Sequence, residues 1–152
     1  MPIDPALAAA YHFEPLEVTV ERGRLAFFAK AIGQTDPVYF DLAAAEAAGH
    51  PDLPVPPTFY FSLELERPNG VAWLDALGID LRRVLHGEQS FTYYAPAYAG
   101  DTLRLTTKVT DVASKKGGAM ELVTKKTEVT HDGEPIADLS TLLVVRNPEV
   151  TA

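Results

Sequence analysis

Apolar and polar positions change their rhythm near residue 83. Ahead of that point apolar residues recur mostly at helical spacing; beyond it they alternate. In residues 21–32, Leu25, Phe28, Ala29 and Ile32 fall on one helical face. Glu21 favours the N-terminal end of that helix. Gly33 follows, a residue that takes the left-handed cap conformation at little cost. Residues 42–48 are rich in alanine and close on Gly49 and Pro51, predicting a second helix with Asp41 as its cap. Residues 13–20 are the early exception, because Leu16, Val18 and Val20 alternate with Glu17 and Thr19 as in a strand. Residues 1–12 form a short helix or a loose arm, and residues 71–77, with Trp73, a short helical or irregular piece.

Beyond residue 83 the pattern predicts strands over 84–94, 102–112, 120–129 and 136–145. Leu103, Leu105, Thr107 and Val109 make one clean face, and Glu121, Val123, Lys125, Thr127 and Val129 form one alternating set of the next strand. Lys116-Gly117-Gly118 marks a turn, and Asp132-Gly133 suits the tight primed turn of a hairpin. Strands segregated from helices imply an α+β domain, an antiparallel sheet with helices packed on one face. A sheet of this kind has open edges, which pairing about a two-fold axis removes, so a homodimer or homologous heterodimer is expected. Residues 58–66 fit two periods: Phe59, Phe61, Leu63 and Leu65 alternate as in a strand, while Phe59 and Leu63 also share a helical face.

Composition narrows the chemistry. A chain of 152 residues is expected to form a single domain. Asp and Glu total 21 against 13 Lys and Arg, which gives no electrostatic case for nucleic acid or an anionic membrane. Without cysteine there is no disulfide, thiolate nucleophile or thiolate metal site. The N-terminus carries no basic stretch before an apolar core, so a cytoplasmic protein is expected. His12, His50, His86 and His131 are scattered, which predicts no metal site, and no glycine pattern marks a nucleotide cofactor. The serines at 62, 90, 114 and 140 lie on no nucleophile elbow. The stretch that stands out is the link over residues 31–41, where Gln34, Thr35, Asp36 and Tyr39 sit between two helices with Pro37 fixing the turn. His86 is a second candidate, since His86-Gly87-Glu88-Gln89 precedes Phe91, Tyr93 and Tyr94.

An ordered set of short motifs runs along the chain: Phe28-Ala29 with Ile32-Gly33, Asp36-Pro37, Tyr39-Phe40-Asp41, Ala45 and Gly49. It continues through Val55-Pro56-Pro57-Thr58-Phe59, His86-Gly87-Glu88-Gln89, Pro96 and Gly100-Asp101-Thr102. In this set the chain resembles the MaoC-like (3R)-hydroxyacyl-thioester dehydratase family, in particular its N-terminal MaoC-like dehydratase domain group. The resemblance implies a hot-dog fold, an antiparallel sheet wrapped around a long central helix, with residues 58–66 helical. It also implies paired hot dogs and an acyl-CoA or acyl-carrier-protein thioester as ligand.

Active members carry aspartate and histidine in the pattern glycine-aspartate-any-asparagine-proline-any-histidine. Aligned on Gly33 and Pro37, this chain has Gln34 at the aspartate, Asp36 at the asparagine and Tyr39 at the histidine. Gln34 cannot act as an acid or base, and a phenol with a reference pKa of about 10 is a poor base at neutral pH. Backbone N–H groups at a helix start remain candidates to polarise the thioester carbonyl. The resemblance therefore implies a dehydratase-family subunit without the usual dyad that completes the pocket of a catalytic partner. Alternatives are a stand-alone hydratase using Asp36 or His86, and a non-enzymatic thioester-binding module. Expected substrate contacts are Gln34, Asp36, Tyr39, Pro57, Thr58, Phe59 and His86. The pairs Arg82-Arg83, Lys115-Lys116 and Lys125-Lys126 are candidate phosphate or carrier contacts.

Overall fold

Five antiparallel strands in the order β1-β3-β4-β5-β2 form the sheet of the computed structural model, which describes residues 2–150. β1 is Leu16–Thr19, β2 Val84–Tyr93, β3 Thr102–Lys115, β4 Met120–His131 and β5 Glu134–Arg146. The alternating face of β3 is the inner one: Leu103, Leu105, Thr107 and Val109 are buried. On β4 the set with Glu121, Val123, Thr127 and Val129 faces inward. The β4–β5 hairpin turns through Asp132 and Gly133, at φ 48° and 82°, the left-handed pair that a primed turn demands.

Five helices cover the sheet: α1 (Pro5–Ala10), α2 (Arg22–Ala31), α3 (Leu42–Ala47), α4 (Phe59–Glu64) and α5 (Ala72–Ala76). The short N-terminal segment is a helix, because Asp4 accepts the N–H groups of Ala6 and Leu7 and Pro5 occupies the first turn. It packs against β3. Asp41, expected as a cap, takes that position, and Glu21 stands at the N-terminal end of α2 as expected, but neither side chain bonds the helix start.

α4 decides the ambiguous segment in favour of the helix. Phe59 and Leu63 are 3% and 0% exposed, whereas Leu65 is 72% exposed, as a period of 3.6 requires and an alternation forbids. Phe59 and Leu63 pack with Leu25, Leu103, Leu105 and Leu139. The resemblance implied a long central helix; here it has six residues, and its caps Thr58 and Leu65 hold near-helical backbone. The sequence Arg67-Pro68-Asn69-Gly70 ends it, with Asn69 at φ 52° and a proline that cannot continue the hydrogen-bond ladder. A second cluster, around Phe13, Trp73, Leu74, Val109 and Val123, fills the space beyond.

β2 is an edge, and its pattern is largely exposed. Leu85 and Tyr93, with the following Tyr94, present apolar surface there. The strand is bulged between His86 and Glu88. Gly87 lies at that bulge because a Cβ would come 2.9 Å from Val144 Cγ2 and 3.2 Å from the Leu142 carbonyl oxygen.

Candidate functional site

The link between α2 and α3 is held by its own hydrogen bonds. Gly33, at φ 76°, reverses the chain at the end of α2. The Gly33 N–H then donates to the Lys30 carbonyl at 3.1 Å, and the Gln34 N–H to the Ala29 carbonyl at 2.9 Å. Gln34 Oε1 accepts from the N–H groups of Thr35 at 2.9 Å and Asp36 at 3.1 Å. Asp36 Oδ1 accepts from the Val38 N–H at 3.1 Å and so caps the 3₁₀ turn Pro37–Tyr39. The backbone thus occupies the acceptor of Gln34, and its amide N–H groups are what remain to meet a ligand. Asp36 is exposed, while Gln34 and Tyr39 are half-buried.

α2 fastens this link to the central helix. The Phe28 ring meets Phe59 edge-on at 5.2 Å, and the Arg24 guanidinium lies over the Phe59 ring at 5.6 Å. Arg24 also pairs with Glu66. Arg22 makes a two-pronged contact with Asp52, at 2.8 and 2.7 Å, which lowers the Asp52 pKa. A hollow of about 330 Å³ between α2 and α4 is lined by Arg24, Phe27, Phe28, Phe59 and Ser62.

The other expected contacts lie elsewhere. Pro57 joins Tyr60, Tyr93 and Tyr94 around a second hollow of about 330 Å³ at the β2 edge, and Tyr93 Oη donates to the Pro57 carbonyl at 2.7 Å. Burial pushes the Tyr60 phenol far up, so it serves as a neutral wall of that hollow. Thr58 is exposed and its side chain makes no cap bond. His86 packs on Phe61 with ring centroids 5.3 Å apart, and its Nε2 lies 3.1 Å from Gln89 Oε1. Phe59 and Phe61 are two residues apart on a helix, about 200° in projection. Phe28 of α2 and His86 therefore meet opposite flanks of α4. Among the described residues no hydrogen bond joins Asp36 to His86, the two alternative acid–base candidates: Asp36 accepts from the Val38 N–H and His86 meets Gln89.

At the start of α4 the Phe59 N–H donates to the Pro56 carbonyl at 3.0 Å and the Phe61 N–H to the Thr58 carbonyl at 3.3 Å, so these two donors are engaged within the chain. Of the basic pairs, Arg82 holds Asp80 at 2.7 Å, Arg83 faces Glu149 at 3.5 Å and Lys126 pairs with Asp138 at 3.1 Å. Lys125 points inward to Glu64 at 2.9 Å. Among the described residues, Lys115 and Lys116 enter no ion pair. The Glu64–Lys125 pair was missed in the sequence, although Lys125 shares an alternating set with Val123 and Val129. A charge on the apolar side of a strand needs a buried partner.

A sheet folded over a short helix, with a capped overhanging link beside it, defines a hot-dog domain of the MaoC-like dehydratase type. The chain belongs to that family: residues 8–139 match the group described as FAS1-like, dehydratase domain region. It is 36% identical over 151 residues to a UPF0336 protein of Streptomyces coelicolor, covering 98% of this chain and 99% of that one. A UPF0336 protein of Clavibacter michiganensis is 38% identical over 149 residues, with 98% and 99% covered. Among solved structures, the C-terminally truncated HadBC (3R-hydroxyacyl-ACP dehydratase) complex of Mycobacterium tuberculosis aligns with a TM-score of 0.75 and 25% identity, over 88% of this chain and 93% of that chain. A MaoC-like dehydratase shares the fold at a TM-score of 0.81 and 24% identity, over 93% of this chain and 43% of that one. No helix among the described residues is long and apolar enough to cross a membrane.

Proposed function

We propose that this chain is a substrate-holding subunit of a (3R)-3-hydroxyacyl-thioester dehydratase or enoyl hydratase, and that a homologous MaoC-like partner supplies the acid–base pair. The observation that carries this reading is the link itself. Dehydration needs a base for the proton on the carbon beside the thioester carbonyl and an acid for the departing hydroxyl. At the two positions where active members place them stand Gln34 and Tyr39. The Gln34 oxygen already accepts two backbone N–H groups, so this side chain offers donors alone. Such an amide can hold a thioester carbonyl or hydroxyl but cannot move a proton. Asp36 and His86 have separate hydrogen-bond partners, Val38 and Gln89, which weighs against a replacement dyad within one chain.

Two features support the partner. The unpaired β2 edge carries Leu85, Tyr93 and Tyr94, and a second hot dog would cover them by continuing the sheet. The dehydratase of Mycobacterium tuberculosis to which the chain is similar is itself a complex. In this reading the phosphopantetheine arm of CoA or a carrier protein approaches the link over Gln34, Asp36 and Tyr39. The acyl chain lies against Phe28 and Phe59, and Pro57 with Thr58 borders its entry. His86, on the other flank, belongs to the face toward the partner.

The test is enoyl-thioester hydration with crotonyl and longer substrates, by the chain alone and after mixing with a homologous partner co-purified from the native cell. Thioester binding without turnover alone, and turnover on mixing, is the expected result. A turnover number of about 1–10³ s⁻¹ for the chain alone would overturn the proposal and make Asp36 and His86 the first residues to replace.

A further inference from the structure

A cleft of about 450 Å³ opens between residues 11–16 and residues 67–73, beside the start of β1. β1 and β2 are the two edges of the sheet, so the cleft lies at the side away from β2. Its walls are aromatic: Tyr11 meets Phe13 edge-on at 4.8 Å, and the Phe13 ring lies 5.7 Å from that of Trp73. Phe13 and Trp73 belong to the second core cluster and are held there by burial. Arg67 brings a charge to these walls. Its guanidinium lies over the Phe13 ring at 5.8 Å and donates to the Glu14 carbonyl and, at 3.4 Å, to Thr107 Oγ1. Its other N–H donors have no partner in the chain among the described residues.

Arg67 differs from the other arginines. Arg22, Arg24, Arg82, Arg83 and Arg104 each pair with a carboxylate, and Arg146 is exposed to water. Arg67 is half-buried and pairs with no carboxylate among the described residues. The acids nearest to it along the chain are already engaged, Glu64 by Lys125 and Glu66 by Arg24. A charge withdrawn from water without a counter-ion is costly, so an anion that reaches it is favoured.

We infer that this cleft binds a small aromatic monocarboxylate, its carboxylate on the Arg67 guanidinium and its ring against Tyr11, Phe13 and Trp73. A guanidinium offers paired donors that match the two oxygens of a carboxylate. Glu14 stands at the rim, its side chain 86% exposed and 3.0 Å from His12, and its negative charge disfavours a doubly charged phosphate. Flat rings favour a flat partner, since aromatic pairs gain beyond the area they bury. The volume lies in the range of small-molecule pockets. The cleft shares no lining residue with the hollows beside α2 and at the β2 edge, and no residue of the motifs that carry the family likeness lines it. The inference is therefore independent of the proposed thioester site.

The full-length protein is titrated calorimetrically with benzoate, with benzamide, which keeps the ring but not the charge, with cyclohexanecarboxylate, which keeps the charge but not the flat ring, and with phenyl phosphate. Benzoate should saturate one site per chain. Benzamide should bind about ten- to hundredfold more weakly, the worth of hydrogen bonds to a charged group. Cyclohexanecarboxylate should bind about two- to tenfold more weakly, the worth of aromatic contact. In Arg67→Gln, benzoate should lose its advantage over benzamide. The four-ligand comparison on the unsubstituted protein stands even where that variant fails to fold. No saturation by benzoate, equal affinity for benzamide or cyclohexanecarboxylate, tighter binding of phenyl phosphate, or a benzoate preference that persists in Arg67→Gln would overturn the inference.

Discussion

Replacing Phe59 by alanine probes the joint on which the candidate site depends. The ring is 3% exposed, edge-on to Phe28 at 5.2 Å and beneath the Arg24 guanidinium at 5.6 Å. Truncating a buried phenylalanine costs about 3–5 kcal/mol, the transfer of the lost ring atoms plus the cavity left behind. Fully buried Leu25 and Leu63 belong to the same cluster and are held by a sheet that cannot readily collapse inward, which argues for the upper half of that range. At about 2–4 °C per kcal/mol for a chain of this size, the melting temperature should fall by about 8–20 °C. Urea unfolding followed by far-ultraviolet circular dichroism measures the loss, with an unchanged m-value showing that the midpoint shift is a stability change. Phe27→Ala is the control, one residue away but 75% exposed, and should stay within about 0.5 kcal/mol. Both variants belong at one protein concentration, since association contributes to apparent stability. A Phe59→Ala loss below about 1 kcal/mol, or a Phe27→Ala loss equal to it, would refute the assignment of α4 as the core helix.

Gly87→Ala should destabilise by about 1–3 kcal/mol by the same assay, because the new Cβ would press on Val144 and the Leu142 carbonyl; a neutral result would remove the close-packing account of the bulge. His131 donates from Nδ1 to the Thr102 carbonyl at 3.0 Å, which raises its pKa, with Asp101 and Asp132 adding to the effect. A folded pKa raised above the unfolded value of about 6.5 means that the stabilisation is complete below that value and is lost as pH rises through the folded one. His131→Gln should thus lose most stability at acid pH, with the deficit shrinking as the solution becomes alkaline, and an NMR titration showing a lowered pKa would contradict this. Gln34→Asp with Tyr39→His should raise hydration by the isolated chain above the parent's level, and an activity equal to the parent's would count against the link as the reacting site.

How legible these features were in the sequence depends on what each rests on. The alternating face of β3 was readable because Leu103, Leu105, Thr107 and Val109 recur at every second position, and the β4–β5 turn because Asp132 and Gly133 both accept positive φ. The α4 segment was not settled by periodicity, since six residues hold fewer than two turns and Phe61 fits either pattern. The proline pair Pro56-Pro57 in front of it offers no N–H to a strand ladder. At the site, the identity of Gln34 and Tyr39 was plain, but the engagement of Gln34 Oε1 by two backbone N–H groups is a consequence of the local turn. The inward Lys125 shows a different gap: alternation sorts a strand into two sets without saying which long polar side chain finds a buried partner.

The placement of β1 constrains the order in which this molecule is made. Thr19 lies against Thr102, 83 positions later, their hydroxyl oxygens 2.8 Å apart. β1 has no strand to join until β3 has been synthesised, and the inner faces of α2 and α4 have no sheet to cover them. The three long strands that follow close through short turns and form early by local contacts. During synthesis, then, the helical half emerges first and is completed last, waiting with Phe28, Phe59 and Leu63 uncovered. That interval is when this chain is most open to capture by a chaperone or to aggregation.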